Sequence, residues 1–134
     1  MFILIAGGLA AGAAFLINRW VFEAMGDRSI YLFTPIVEEF LKTGLALLLA
    51  TPIILTHLVF GLIEGAYDLI TAPKKQISAA IISVISHLFF GSATVALANN
   101  FNIFIAVFVS ILLHASWNGL VVKLASRRKL RKLS

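Results

Sequence analysis

The chain has no cysteine, which excludes a disulfide framework and leaves its compartment unreadable from thiol chemistry. Charge is scarce too. Asp, Glu, Lys and Arg make up 13% of 134 residues against 60% hydrophobic residues, and the mean hydropathy is +1.01. A soluble domain this small cannot cover its surface with so few polar groups, so lipid must be the solvent for most of it. There is no repeat and no low-complexity segment to suggest more than one domain. No basic residue precedes the apolar stretch 2–17, so that stretch reads as a retained helix rather than a signal peptide.

What is present is a series of five apolar runs: 2–17 (extending to 22 at most), 30–50, 53–72, 77–98 and 101–125. Most approach the ~20 residues that cross a ~30 Å hydrocarbon core. Breaker residues separate them: Gly26-Asp27-Arg28, Thr51-Pro52, Pro73-Lys74-Lys75 and Asn99-Asn100. Thr51-Pro52 is the weakest of these boundaries, because proline can simply kink a membrane helix. The expected fold is all-α: a polytopic membrane bundle of about five helices in a single transmembrane domain. Residues 1–29 form its first helix and loop, 30–125 a four-helix core of catalytic type, and 126–134 a basic tail.

Lysine and arginine fall on one side of this arrangement. With five spans, Arg19, Arg28, Lys74, Lys75 and the run Arg127-Arg128-Lys129-Leu130-Arg131-Lys132 share a face, and the opposite face has none. The positive-inside rule places that basic face in the cytoplasm and the N-terminus outside, in a multi-pass protein of the cell membrane. The tail is expected to meet anionic lipid headgroups rather than nucleic acid.

Ionisable groups within hydrocarbon are rare and usually functional, since each costs roughly 2.5–3.5 kcal/mol on insertion scales. Here Glu38, Glu39 and Lys42 lie in the second run, Glu64 and Asp68 in the third, His87 in the fourth, and His114 with Asn118 in the fifth. Counting about 1.5 Å per residue from the cytoplasmic ends puts Glu38, Glu39, Glu64, His87 and His114 about 12–17 Å deep, close to one level. By the same count His57 lies about 22 Å away and is expected at the outer surface. Asp68 is near enough to the headgroups to be solvated. Glu38 and Lys42 are i,i+4 and share a face, so the lysine can neutralise a carboxylate. Ser83-His87-Gly91 and Ser110-His114-Asn118 form polar stripes of the same spacing, aimed at the bundle interior.

Such a set can activate a water for hydrolysis through a glutamate base. It can also bind a divalent metal such as zinc through Glu64, His87 and His114. Other uses are a proton or cation path, and a buried network that fixes helix packing. Hydrolysis is the favoured of these readings, with transport and a structural role left open.

The motifs also resemble a known family. Val37-Glu38-Glu39-Phe40-Leu41-Lys42 is similar to the EExx(K/R) signature of the intramembrane protease superfamily that contains the type II CAAX prenyl proteases and PrsW. Phe60-Gly61-Leu62-Ile63-Glu64-Gly65 resembles its second motif in the PrsW form, with glutamate where the CAAX enzymes have the FxxxH histidine. His114-Ala115-Ser116-Trp117-Asn118 resembles the closing HxxxN pattern, and His87 lies between them on its own helix. The resemblance covers residues 30 to about 123. The missing FxxxH histidine, Lys42 in place of arginine, and Gly65 where asparagine is frequent move it toward the PrsW-like branch.

The resemblance implies peptide-bond hydrolysis in or beside the membrane, on a membrane-protein or peptide substrate. Glu38, with Glu39 as the alternate, would activate the water, and His114 and Asn118 would stabilise the oxyanion. Glu64 and His87 would orient the water or the base, or ligate a metal, and Lys42 would tune the ionisation of the glutamate pair. No cofactor is expected to be required, with zinc the exception. The superfamily also contains a non-proteolytic scaffold branch. Gly8 and Gly12 form a GxxxG pattern, expected to pack the first helix within the chain rather than to make a homo-oligomer.

The charge distribution predicts that a reporter fused after Ser134 is cytoplasmic and one fused before Met1 external. Protease protection or a compartment-specific reporter reads the outcome. Both termini on one side would require an even number of spans.

Overall fold

The computed structural model describes residues 1–71 and 77–130; Lys74, Lys75, Arg131 and Lys132 of the expected basic face lie outside them. The described residues form six helices and no strand: α1 (Phe2–Met25), α2 (Arg28–Leu32), α3 (Thr34–Leu48), α4 (Ile53–Thr71), α5 (Ile77–Asn100) and α6 (Ile103–Leu130). α1, α4, α5 and α6 are long and apolar enough to cross a membrane. The molecule is an all-α, membrane-spanning bundle.

The second apolar run is two helices rather than one. Pro35 in the first turn of α3 has no N–H to give, and the chain breaks at Phe33 between α2 and α3. At its 15 residues α3 rises only about 22 Å. It is the element that carries Glu38, Glu39 and Lys42, all buried.

The breaks are built as their residues suggest. Gly26 ends α1 at φ 61°, ψ −149°, a conformation open essentially to glycine alone, and Ser29 Oγ donates to its carbonyl at 2.7 Å. Thr51-Pro52 is a chain reversal, not a kink. α3 stops at Leu48, Ala50 turns the chain at φ 49°, and the Thr51 N–H closes onto Ala46 O at 2.8 Å. Asn100 and Asn102 complete the α5–α6 turn, Asn102 Oδ1 accepting the Ile105 N–H at 2.9 Å to cap α6.

Polarity is inverted relative to a soluble bundle. Leu16, Ile70 and Phe104 face outward, whereas Glu39, Lys42, His57, Thr94 and Ser110 have no solvent exposure. With lipid outside there is no hydrophobic drive between helices, so close approach and interhelical hydrogen bonds hold them. α4 and α5 show how. A Cβ on Gly61 would meet His87 Cβ at 3.0 Å, one on Gly65 the Ala80 carbonyl at 3.0 Å, and one on Gly91 the His57 Cβ at 2.9 Å. Each histidine of this helix pair therefore sits over a glycine of the other helix. Ser110 Oγ adds a 2.6 Å hydrogen bond to Thr94 Oγ1 between α5 and α6.

The first helix packs inward, but not through Gly8 and Gly12, at which an added Cβ would meet nothing within 4 Å. The buried face is Ala6, Gly7, Ala10, Ala11 and Ala14, packed on Phe60, Leu41 and Leu45. A shift of one residue turns a helix face by about 100°. The small-residue stripe 6-10-14 outweighs the glycine pair because it continues further along the helix. Gly7 is the tight point: a Cβ there would fall 2.5 Å from Val59 Cβ. Gly7→Ala should therefore destabilise the bundle by about 1–3 kcal/mol, measured as thermal unfolding in detergent, while Gly8→Ala should be nearly silent. Equal effects at both positions would contradict this packing.

Candidate functional site

Four helices bring their polar residues to one place, and Lys42 stands at its centre. Its Nζ lies 2.6 Å from Glu39 Oε1, 3.0 Å from His87 Nδ1 and 4.0 Å from Glu38 Oε2, and 4.7 Å from the centroid of the Phe60 ring. The sequence spacing favoured Glu38 as the lysine's partner at i,i+4. The short contact goes instead to Glu39 at i,i+3, and the two carboxylates separate into different roles.

Glu39 is the ion-paired one. Its Oε1 accepts from both Lys42 and His114 Nδ1, the latter at 2.9 Å. Glu38 is held from the other side. Asn18 Nδ2 donates to its Oε1 at 3.0 Å, and its Oε2 is buried with no hydrogen-bond partner. Glu64, on α4, is held by α5. It accepts from Ser83 Oγ at 2.7 Å and from His87 Nε2 at 2.5 Å, and its side chain is 40% exposed.

These contacts fix the histidine tautomers. An ammonium only donates, so His87 accepts at Nδ1 and carries its proton on Nε2, toward Glu64. A carboxylate only accepts, so His114 carries its proton on Nδ1, toward Glu39, and its Nε2 is bare. That bare nitrogen lies 3.7 Å from the unpartnered Glu38 Oε2. Two acceptors facing each other at this distance repel unless something donates to both. A water placed between them would donate to both and keep its oxygen lone pairs free. Phe90 stacks on the His114 ring at 4.6 Å between centroids and holds its plane.

Glu38, Glu39, Glu64, His87 and His114 thus converge from α3, α4, α5 and α6. Asn118 does not join them. It lies one turn beyond His114 on the same stripe, but its Nδ2 donates to the backbone carbonyl of Ile30 at 2.9 Å. That amide ties α6 to α2, whose short length leaves its carbonyls in need of donors. The expected oxyanion role of Asn118 has no support in this geometry.

His57 is the second correction. Far from the outer surface, it is fully buried, with Nε2 3.9 Å from Glu39 Oε2. Counting rise along one helix neglects side-chain reach, and α3 carries Glu39 and Lys42 outward to meet it. The signal was available: His57, Gly61 and Glu64 recur at i, i+4, i+7, one face of α4. Asn18 was missed altogether. It continues the buried stripe 6-10-14 of α1 by one more turn, and a polar residue at the end of an alanine face marks an interior contact.

A cavity of about 740 Å³ leads to this cluster between α1, α2, α3 and α4. Phe15, Ile63 and Tyr67 form apolar walls, Glu38 and Glu64 line it beside the cluster, and Asp68 lines it one turn of α4 beyond Glu64.

Glu38, Glu64 and His87 offer ligand atoms within 4.8 Å of one another, so Glu38 replaces His114 in the metal set expected from sequence. The surroundings fit a divalent ion poorly. A metal-bound histidine normally donates its other N–H to an acceptor, whereas the other nitrogen of His87 faces the Lys42 ammonium, itself a donor and a cation. No protein-family model, curated protein or solved structure matches the chain.

Removing the central cation strands Glu39. Lys42→Met is expected to cost about 3–5 kcal/mol of stability, and Lys42→Met combined with Glu39→Gln should cost clearly less than the sum of the two single changes. Denaturant unfolding of the three variants in detergent measures this, and strict additivity would mean that the pair is not coupled.

Proposed function

We propose that this chain is an intramembrane peptidase of the PrsW-like kind, in which Glu38 activates a water. The observation that carries the proposal is the facing pair of acceptors, Glu38 Oε2 and His114 Nε2, 3.7 Å apart, with Glu38 lining the cavity between α1 and α4. A water donating to both has its nucleophilic lone pairs free for a peptide carbonyl. Glu38 takes the proton as the O–C bond forms, and passes it to the departing amine as the C–N bond breaks. Asn18 holds the other oxygen of Glu38 and so aims the base.

His114 orients the water through its bare nitrogen, and Glu39 holds that ring in place. The Lys42 ammonium, 4.0 Å from Glu38 Oε2, offsets negative charge on the carboxylate and on the tetrahedral oxygen. Glu64, held by His87 behind it, forms the wall on which the substrate chain rests, without a metal. The cavity lies toward the end of the bundle that carries Arg19 and Arg28, the cytoplasmic end under the positive-inside rule. The substrate is the cytoplasmic end of a membrane-inserted segment.

A second reading has its own support. Glu39 and Lys42 are completely buried, and such an ionic core suits a non-catalytic scaffold that fixes helix register. Glu38→Gln separates the two. Under the hydrolase reading it keeps the fold and lowers cleavage of membrane peptides by purified protein in liposomes at least 100-fold, on the scale of losing an essential base. Chelators leave wild-type activity unchanged, and Asn118→Ala lowers stability rather than turnover. A wild type that cuts no peptide, or a Glu38→Gln variant as active as wild type, would overturn the proposal. Activity lost to a chelator and restored by zinc would replace it with metal catalysis.

A further inference from the structure

The polar groups of the cavity are unbalanced, and the imbalance specifies what can occupy it. Among the described residues, Glu38, Glu64 and Asp68 line it against a single cation, Arg19. The Arg19 side chain is mostly exposed, and its Nε lies 3.2 Å from Glu23 Oε1 one turn along α1. Asn18 Nδ2 donates to Glu38, and Ser29 Oγ to Gly26 O. The Thr34 and Tyr67 hydroxyls can act either way.

Acceptors remain without donors. Asn18 Oδ1 and Glu38 Oε2 are buried with no partner, Glu38 itself being only 4% exposed. Asp68 makes no hydrogen bond or ion pair among the described residues. A ligand that fits must bring donors and positive charge on an otherwise apolar body, because the walls are Phe15, Phe22, Phe60, Ile63 and Tyr67.

We infer that the cavity selects a peptide carrying a lysine or arginine beside its apolar segment, with Asp68 as the specificity-determining residue. This rests on the hydrolase reading above and names its substrate class. The aliphatic stem of the basic residue lies along Tyr67 and Ile63, and its charged head meets Asp68. Asp68 is one turn from Glu64, about 6 Å along α4. An extended chain covers that distance in about two residues, so the basic residue follows the peptide unit beside Glu64 by about two positions. The cytoplasmic ends of membrane helices carry this pattern, apolar residues followed by Lys or Arg. The cavity matches it in both order and charge.

The test uses the full-length protein in liposomes with synthetic peptides. Each peptide has an apolar span followed by Lys, Gln or Glu, scanned over the first few positions after the span. Products are read by mass spectrometry, and binding of the same labelled peptides to the Glu38→Gln protein is read by fluorescence anisotropy. Wild type should prefer Lys over Gln by about five- to tenfold in kcat/KM. The preference should vanish in Asp68→Asn and turn toward Glu in Asp68→Lys, and that inversion a merely misfolded variant could not produce. Equal cleavage and binding of Lys and Gln peptides by proteins with Asp68 intact would overturn the inference and leave the peptidase standing. Binding that prefers Lys and depends on Asp68, with no peptide ever cut, would uphold the recognition and remove the peptidase.

Discussion

A lysine ammonium buried at the centre of a lipid-embedded bundle is the constraint on which the rest of the structure depends. Lys42 has no solvent exposure and cannot be left unpaired, because an isolated ion there would cost many kcal/mol. Its needs account for the arrangement around it. Glu39 supplies the counter-charge and His87 an acceptor. Those two, once committed, fix the proton positions on both imidazoles, and through them the orientation of Glu64 and the bare nitrogen of His114. A single cation thereby sets the polarity of a whole layer.

The two neighbouring glutamates show how adjacent residues acquire different chemistry. They differ by one step along α3, which turns them about 100° apart around the helix axis. Glu39 points at the lysine, its Oε1 taking both the ammonium and His114 while its Oε2 has no hydrogen-bond partner. Glu38 points toward α1, is steadied on one oxygen by Asn18, and lines the cavity. Position separates their roles. The carboxylate at the ion pair holds the frame together, and the one at the cavity is available for chemistry.

Much of this was legible in the sequence, and the failures are instructive. The stripe Ser83-His87-Gly91 faces α4, as its spacing requires, and Ser110-His114-Asn118 faces the interior along its whole length. What the spacing could not reveal was that the second stripe crosses three different neighbours. Ser110 meets α5, His114 meets α3, and Asn118 meets the backbone of α2. A motif resembling a family's carried an expectation for the asparagine, whereas its amide here meets a local carbonyl. His57 was lost by treating depth as residue count, and Asn18 by reading α1 as a mere membrane anchor. In both cases the helical period already held the information, and only a partner on another helix could make it meaningful.

The reciprocal seating of histidines over glycines has a mechanical consequence. Because His87 fills the space at Gly61 and His57 the space at Gly91, any sliding of α4 along α5 drives both rings into backbone at once. The pair is therefore locked in register, like two gears meshed at two teeth. α1 is held at one such tooth, Val59 seated at Gly7 near its start. Further along, it meets the rest through the Phe15–Tyr67 ring contact and, among the described side chains, one hydrogen bond, from Asn18 to Glu38. A tilt of α1 about its Gly7 end therefore moves the Asn18 end most. Because that one hydrogen bond ends on Glu38, any swing of the helix is felt first at that carboxylate.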